Sequence, residues 1–248
     1  MDDKITLTKS QRKVFNAFKK GQNIFMTGKG GTGKSFITKY IIDYAKSKKK
    51  QVIVCAPTGI AALNIGGATV HSVFRPNKGI IDMEAKCTDK KQLEILRNVD
   101  LLVIDEISMC RADVFHFICN TINEVKNSHL QLFIVGDFFQ LPPVLTEEEG
   151  DTFRKVWGNS LYAFETDVWG SLGLETIELT EVKRQTDTKF IQCLDAIREG
   201  NPQFDILQSR CDGTIDPDAI TLCGTNKDAE ITNMHRFRDL VRHGAEHP

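Results

Sequence analysis

Four short apolar runs, at Asn23 to Thr27, Gln51 to Cys55, Val99 to Ile104 and Gln131 to Val135, recur along the first half of the chain with helical stretches between them. A run that is apolar at successive positions describes a strand covered on both faces. Strands of that kind separated by helices build a parallel sheet between helical layers. The pattern therefore predicts an α/β fold. A capped helix at Thr8 to Lys20 is predicted ahead of the first strand, and a second from Gly33 to Lys46 behind it. Past Thr146 the texture changes to an acidic loop, Glu147-Glu148-Glu149-Gly150, and a tryptophan-bearing stretch. Helices at Thr188 to Glu199 and Gln203 to Arg210, a strand-like run at Ala219 to Cys223 and a closing polar helix follow.

A length of 248 residues with 41% hydrophobic composition suits one medium domain with an appendage, or two small domains. No apolar run approaches the roughly 20 residues that a bilayer span needs. The opening Met1-Asp2-Asp3-Lys4 lacks the layout of a secretory signal, so a cytoplasmic or nucleoid-side location without membrane contact is expected. Seven scattered cysteines without a C-x-x-C pair indicate neither a disulfide framework nor a zinc site. The net charge of −1 confines any nucleic-acid contact to local features. The basic run Lys46-Ser47-Lys48-Lys49-Lys50 reads as a solvated loop.

Gly28-Lys29-Gly30-Gly31-Thr32-Gly33-Lys34-Ser35 follows the first strand and opens a helix, where a G-x-x-x-x-G-K-[ST] phosphate loop has to lie. Glycine lets main-chain N–H groups turn toward phosphate oxygens, and the helix N-terminus adds partial positive charge. Lys34 is then placed to neutralise the β and γ phosphates of ATP, and Ser35 to ligate Mg²⁺. A glycine-rich turn that binds nothing is the bland alternative.

Leu101-Leu102-Val103-Ile104 runs into Asp105 and Glu106, which puts both acids at the carboxyl end of a buried strand. Asp105 is expected to hold Mg²⁺ and Glu106 to orient and deprotonate an attacking water. A pair of solvated acids, or Glu106 as a first-turn helix residue, would give the same spacing. In Gly136-Asp137-Phe138-Phe139-Gln140-Leu141-Pro142-Pro143-Val144 the Gln140 amide offers both a donor and an acceptor, which suits contact with a γ-phosphate and water together. It could equally bond a turn.

These segments, with Ala56-Pro57-Thr58-Gly59-Ile60-Ala61-Ala62, Gly67-Ala68-Thr69-Val70-His71-Ser72 and Leu179-Thr180-Glu181-Val182-Lys183-Arg184-Gln185, resemble in order and spacing the Pif-type superfamily-1 helicases, relatives of RecD. The resemblance runs from about Leu7 to Asn226. It implies a RecA-like phosphate-loop NTPase domain from an ATP-driven motor that moves 5′ to 3′ on single-stranded DNA. It also implies that Gln11 reads the adenine ring, although Thr8-x-x-Gln11 is equally a helix capping box. Arg184 matches an arginine that reaches the γ-phosphate, with a surface salt bridge to Glu181 or Asp187 as the other reading.

Single-stranded DNA is expected to meet Thr58, Gly59, Thr69, His71 and Ser72, whose hydroxyls, imidazole and N–H groups suit phosphates. Phe74, beside Arg75, is either a stacking platform for a base or a core residue. A first domain is expected over 1–215, with a small accessory insertion at Asn77 to Leu96 or near Glu148. A linker and the first elements of a truncated second RecA-like domain are expected over 216–248. Such a chain is expected to be a monomer that binds nucleotide, hydrolyses it poorly and does not unwind duplex. A nucleotide- and DNA-binding module without motor activity is the alternative. An oligomeric AAA+ ATPase would leave the threonine-glycine and Gln-Leu-Pro-Pro segments unexplained.

Overall fold

The computed structural model describes residues 6–183, 185, 187–202, 204–211, 213 and 219–242. The elements run α1 (Lys9–Lys19), β1 (Ile24–Gly28), α2 (Lys34–Ser47), β2 (Val52–Ala56), α3 (Gly59–Ile65), β3 (Ala68–Thr69), α4 (Val70–Phe74), α5 (Lys90–Arg97) and β4 (Leu101–Ile104). A 3-10 turn (Ile107–Met109), α6 (Ala112–Val125), β5 (Gln131–Val135), α7 (Glu147–Trp157), a second 3-10 turn (Ala163–Glu165), α8 (Asp167–Ser171), β6 (Glu175–Leu179), α9 (Thr188–Arg198), α10 (Phe204–Gln208) and α11 (Asn226–Arg242) complete the order.

One parallel sheet carries the strands in the order β3-β2-β4-β5-β1-β6. Strand side chains alternate between faces. Leu101 and Val103 therefore join Ile24, Met26, Phe133, Ile37 and Ile41 on one side. Leu102 and Ile104 join Phe25, Ile134, Phe115 and Phe74 on the other. Each face has its own helical cover, and β4 and β5 between them are buried at every position. This is the parallel sheet flanked by helices that the apolar runs predicted, with the RecA-like arrangement.

Local chemistry explains the helix boundaries. Thr8 caps α1 reciprocally with Gln11, and Val14, Ala17 and Phe18 turn one face of that helix inward. The lysine run leaves α2 through Lys48, and Lys48 and Lys50 lie over the Tyr44 and Phe18 rings. Two expectations need correction. Glu147 to Gly150 is the first turn of α7, because Thr146 and Glu149 form a second capping box and acids favour a helix N-terminus. Ala219 to Cys223 forms no strand: Ile220 and Leu222 are exposed. β3 and β6, the two edges of the sheet, were not foreseen.

The chain divides into two compact units, Met1–Pro202 and Gln203–Pro248. The sheet lies in the first, and α10 and α11 lie in the second. Among the described residues no helix is long and apolar enough to cross a membrane.

Candidate functional site

The carboxyl end of β1 becomes the phosphate loop through three glycines at positive φ. Gly28, at φ +153°, passes so close to β6 that a Cβ would lie 2.8 Å from the Leu179 carbonyl oxygen. Gly33, at φ +85°, turns the chain into α2. Gly30 stands open, Gly31 (φ +79°) accepts the Lys183 N–H at 2.8 Å, and buried Thr32 donates its hydroxyl to the Lys29 carbonyl at 2.8 Å. The Lys34 ammonium donates to the Gly28 carbonyl at 2.6 Å and the Lys29 carbonyl at 3.3 Å. Gln11 is 2% exposed. Its oxygen accepts the Thr8 N–H at 3.1 Å, and its amide nitrogen donates to the Thr32 carbonyl at 3.4 Å. The residue is thus a helix cap and a neighbour of the phosphate loop at once.

β4 brings the acids to the same place. Asp105 is 9% exposed and accepts the Glu106 N–H at 3.0 Å. Burial raises its carboxyl to about 6; the Glu106 charge adds to the rise, while the Glu106 N–H and Lys34 oppose it. Glu106 itself takes the left-handed backbone, φ +51°, as the strand turns into the 3-10 helix. Burial lowers the Lys34 amine below its ordinary value, against the pull of Asp137, Glu106 and Asp105. A cavity of about 450 Å³ is lined by Gly33, Lys34, Ser35, Glu106, Gln140 and Lys183. A second, of about 240 Å³, adds Asp105 and Thr58 to the shared Ser35, Glu106 and Gln140. The phosphate loop, the two acids and the glutamine therefore converge, at the sheet end where open α/β folds take ligands.

Two groups here, Asp137 and Arg198, carry no signal in the sequence pattern. Asp137, 1% exposed, lies within the segment that supplied Gln140, and its partner is Arg198 of α9 at 2.9 Å. Burial alone would raise the Asp137 carboxyl. The bond from Arg198, the Phe139 N–H and the charges of Arg198 and Lys34 outweigh it, holding the group below the usual carboxylate range. One turn earlier on α9, Asp195 pairs with Lys29 of the phosphate loop at 2.6 Å. Glu181 accepts from the Ser10 N–H at 3.2 Å and from the Ser10 and Thr8 hydroxyls, which tie the segment after β6 to α1. Ser10 leads the causes that hold Glu181 down to about 2. Asp187 caps α9 by accepting the Phe190 N–H at 3.1 Å. Arg184 lies outside the described residues.

The residues expected to meet DNA lie at and just past the carboxyl ends of β2 and β3. Thr58 caps α3, of which Gly59 is the first residue, by accepting the Ala61 N–H at 3.2 Å. Thr69 caps α4 by accepting the Ser72 N–H at 3.1 Å, and its hydroxyl meets that of Ser72 at 2.8 Å. Thr58 and His71 line a cavity of about 280 Å³. Phe74 is removed from this group: it is fully buried among Cys55, Leu102 and Phe115, so its ring has no face to offer a base. Arg75, beside it, pairs with Asp89.

A cavity of about 820 Å³ opens at the other end of β2 between Gln51 to Ile53 and Lys90, Lys91 and Glu94. It contains none of the expected site residues and lies at the amino ends of the strands, whereas ligands of open α/β sheets sit at the carboxyl ends.

The profile of the PIF1-like helicase family matches residues 6–208. The ATP-dependent DNA helicase Pif1 of Campylobacter jejuni is 34% identical over 237 residues, which cover 88% of this chain and 52% of the relative. The human ATP-dependent DNA helicase PIF1 is 34% identical over 249 residues, covering 94% of this chain and 37% of its own length. A crystal structure of the Bacteroides Pif1 helicase in complex with ADP-AlF3 and single-stranded DNA superposes with a TM-score of 0.81 at 32% identity, covering 98% of this chain and 58% of that one. The chain thus spans about half the length of the Campylobacter relative it matches. With its phosphate loop, strand-end acids and Gln140 converging on the sheet end that this profile spans, the chain belongs to the PIF1-like helicase family.

Proposed function

We propose that this chain is the ATP-binding motor portion of a 5′-to-3′ DNA helicase. The observation that carries the reading is that Lys34, Ser35, Glu106 and Gln140 line a single cavity. In it the loop N–H groups and Lys34 grip the β and γ phosphates, and Glu106 takes the proton of the attacking water. Gln140 contacts the γ-phosphate, and Arg184 supplies positive charge to it. Gln11, held between the α1 cap and Thr32, contacts the adenine.

Mg²⁺ fits the donors present. Ser35 and Asp105 line one cavity, and Mg²⁺ is ordinarily held by one or two protein oxygens with phosphate and water completing its shell. Bound there, it would neutralise charge on the phosphates. Single-stranded DNA runs along Thr58, Gly59, Thr69, His71 and Ser72. Thr58 lines both the cavity that holds Asp105 and the one that holds His71, which gives nucleotide and DNA a shared wall. On this reading residues 216–248 belong to a second RecA-like domain, and strand separation needs two such domains. A monomer acting in the cytoplasm, at the nucleoid in a bacterium, goes with this reading.

Lys34→Ala tests it. ATP affinity measured by calorimetry is expected to fall on the order of 10²-fold, as for loss of a charged donor to phosphate. Unchanged affinity would remove the phosphate-loop assignment and with it the motor.

A further inference from the structure

The Asp137 carboxylate sits where four donors meet. Arg198 Nη2 reaches Oδ1 at 2.9 Å and Nε reaches Oδ2 at 3.3 Å; the Phe139 N–H reaches Oδ1 at 3.2 Å, and the Gln140 amide reaches Oδ2 at 3.3 Å. Arg198 also lies over the Phe139 ring, 4.1 Å from its centre. A guanidinium that forks onto a buried carboxylate while stacking on an aromatic face has little rotational freedom, and it transfers that rigidity to whatever shares the carboxylate. Here the sharer is Gln140, which is otherwise exposed and whose N–H closes a turn onto the Asp137 carbonyl at 2.9 Å. The same helix grips the other wall of the site, because Asp195, one turn before Arg198, pairs with Lys29. α9 thereby spans the distance between the phosphate loop and the glutamine.

We propose that Arg198 is a positioning residue for nucleotide-state recognition: through Asp137 it holds the Gln140 amide at the cavity that Lys34 and Ser35 line, so that the chain distinguishes a triphosphate from a diphosphate. The inference deepens the proposed function and rests on it. Arg198 supports the group that touches phosphate, so its loss is felt where the γ-phosphate is present and not where it is absent.

Calorimetric affinities for a non-hydrolysable ATP analogue and for ADP test it, using the unaltered chain, Arg198→Gln, Gln140→Ala, those two combined, and the neutral pair Asp137→Asn/Arg198→Gln. The neutral pair leaves no buried charge without a partner and so keeps the fold testable. Arg198→Gln and the neutral pair are each expected to lower the preference for the analogue over ADP about tenfold, the loss of one hydrogen bond to a charged group, with ADP affinity within about twofold of the unaltered chain. Adding Gln140→Ala to Arg198→Gln is expected to cost nothing further, because both act on one contact. An unchanged preference in the neutral pair, an equal fall in both affinities, or additive losses with Gln140→Ala would each overturn the inference. So would an unaltered chain that binds the analogue and ADP equally. If the unaltered chain binds neither ligand, the proposed function falls as well, which separates the two failures.

Discussion

At the carboxyl ends of β1 and β4 the chain commits charges to a cavity, whereas past β2 and β3 it commits hydroxyls to its own helices. Burial shifts the proton affinities of Lys34, Asp105 and Asp137, and the Lys34 charge acts on both acids as theirs act on it. Thr58 and Thr69 already accept main-chain N–H groups at 3.2 and 3.1 Å, and the Thr69 hydroxyl also shares a hydrogen bond with that of Ser72 at 2.8 Å. The first region is built for one ligand geometry. The second offers single weak donors, which under the proposed function would suit contact with a repeating anion.

The sharpest break between the two regions is expected from Glu106→Gln. Turnover should fall by about 10²- to 10⁴-fold, the usual contribution of a positioned base. Nucleotide and DNA affinities should stay put; retained turnover in a phosphate-release assay would remove Glu106 from its role. Phe74→Ala comes next. It should cost about 3–5 kcal/mol in chemical denaturation, since a fully buried ring leaves a cavity. Single-stranded DNA affinity of the folded fraction should not change, and a loss specific to DNA would restore the ring to the track. The smallest effect belongs to Thr58→Ala, with about 0.5–2 kcal/mol of stability lost with the cap. DNA binding should weaken a few-fold with a shallower salt dependence, and identical salt slopes before and after substitution would take Thr58 off the phosphate backbone.

How far the sequence could be read depended on the range of the forces involved. β1, the phosphate loop and α2 form one contiguous stretch whose apolar run, glycines and lysine carry their meaning locally, and β4 with its two acids is the same kind of unit. β6 was invisible because Glu175-Thr176-Ile177-Glu178-Leu179 buries only Ile177 and Leu179, so an edge strand looks like a polar loop. β3, two residues long, leaves no pattern at all. Glu147 to Gly150 misled in the opposite sense, since three successive acids read as a loop until Thr146 is recognised as their cap. Arg198 and Asp137 meet across 61 residues of sequence, and no periodicity records such a pair. Phe74 remained ambiguous because an aromatic beside an arginine has the same spelling in a core as on a track.

Glu106 carries one more consequence. Its backbone lies at φ +51° and ψ +45°, a conformation that costs a residue with a Cβ on the order of 1 kcal/mol relative to glycine. Glu106→Gly should therefore melt later than the unaltered chain while losing the carboxylate proposed as the proton acceptor. Under that proposal, a screen of this chain for thermal endurance alone would be drawn toward variants that no longer spend ATP.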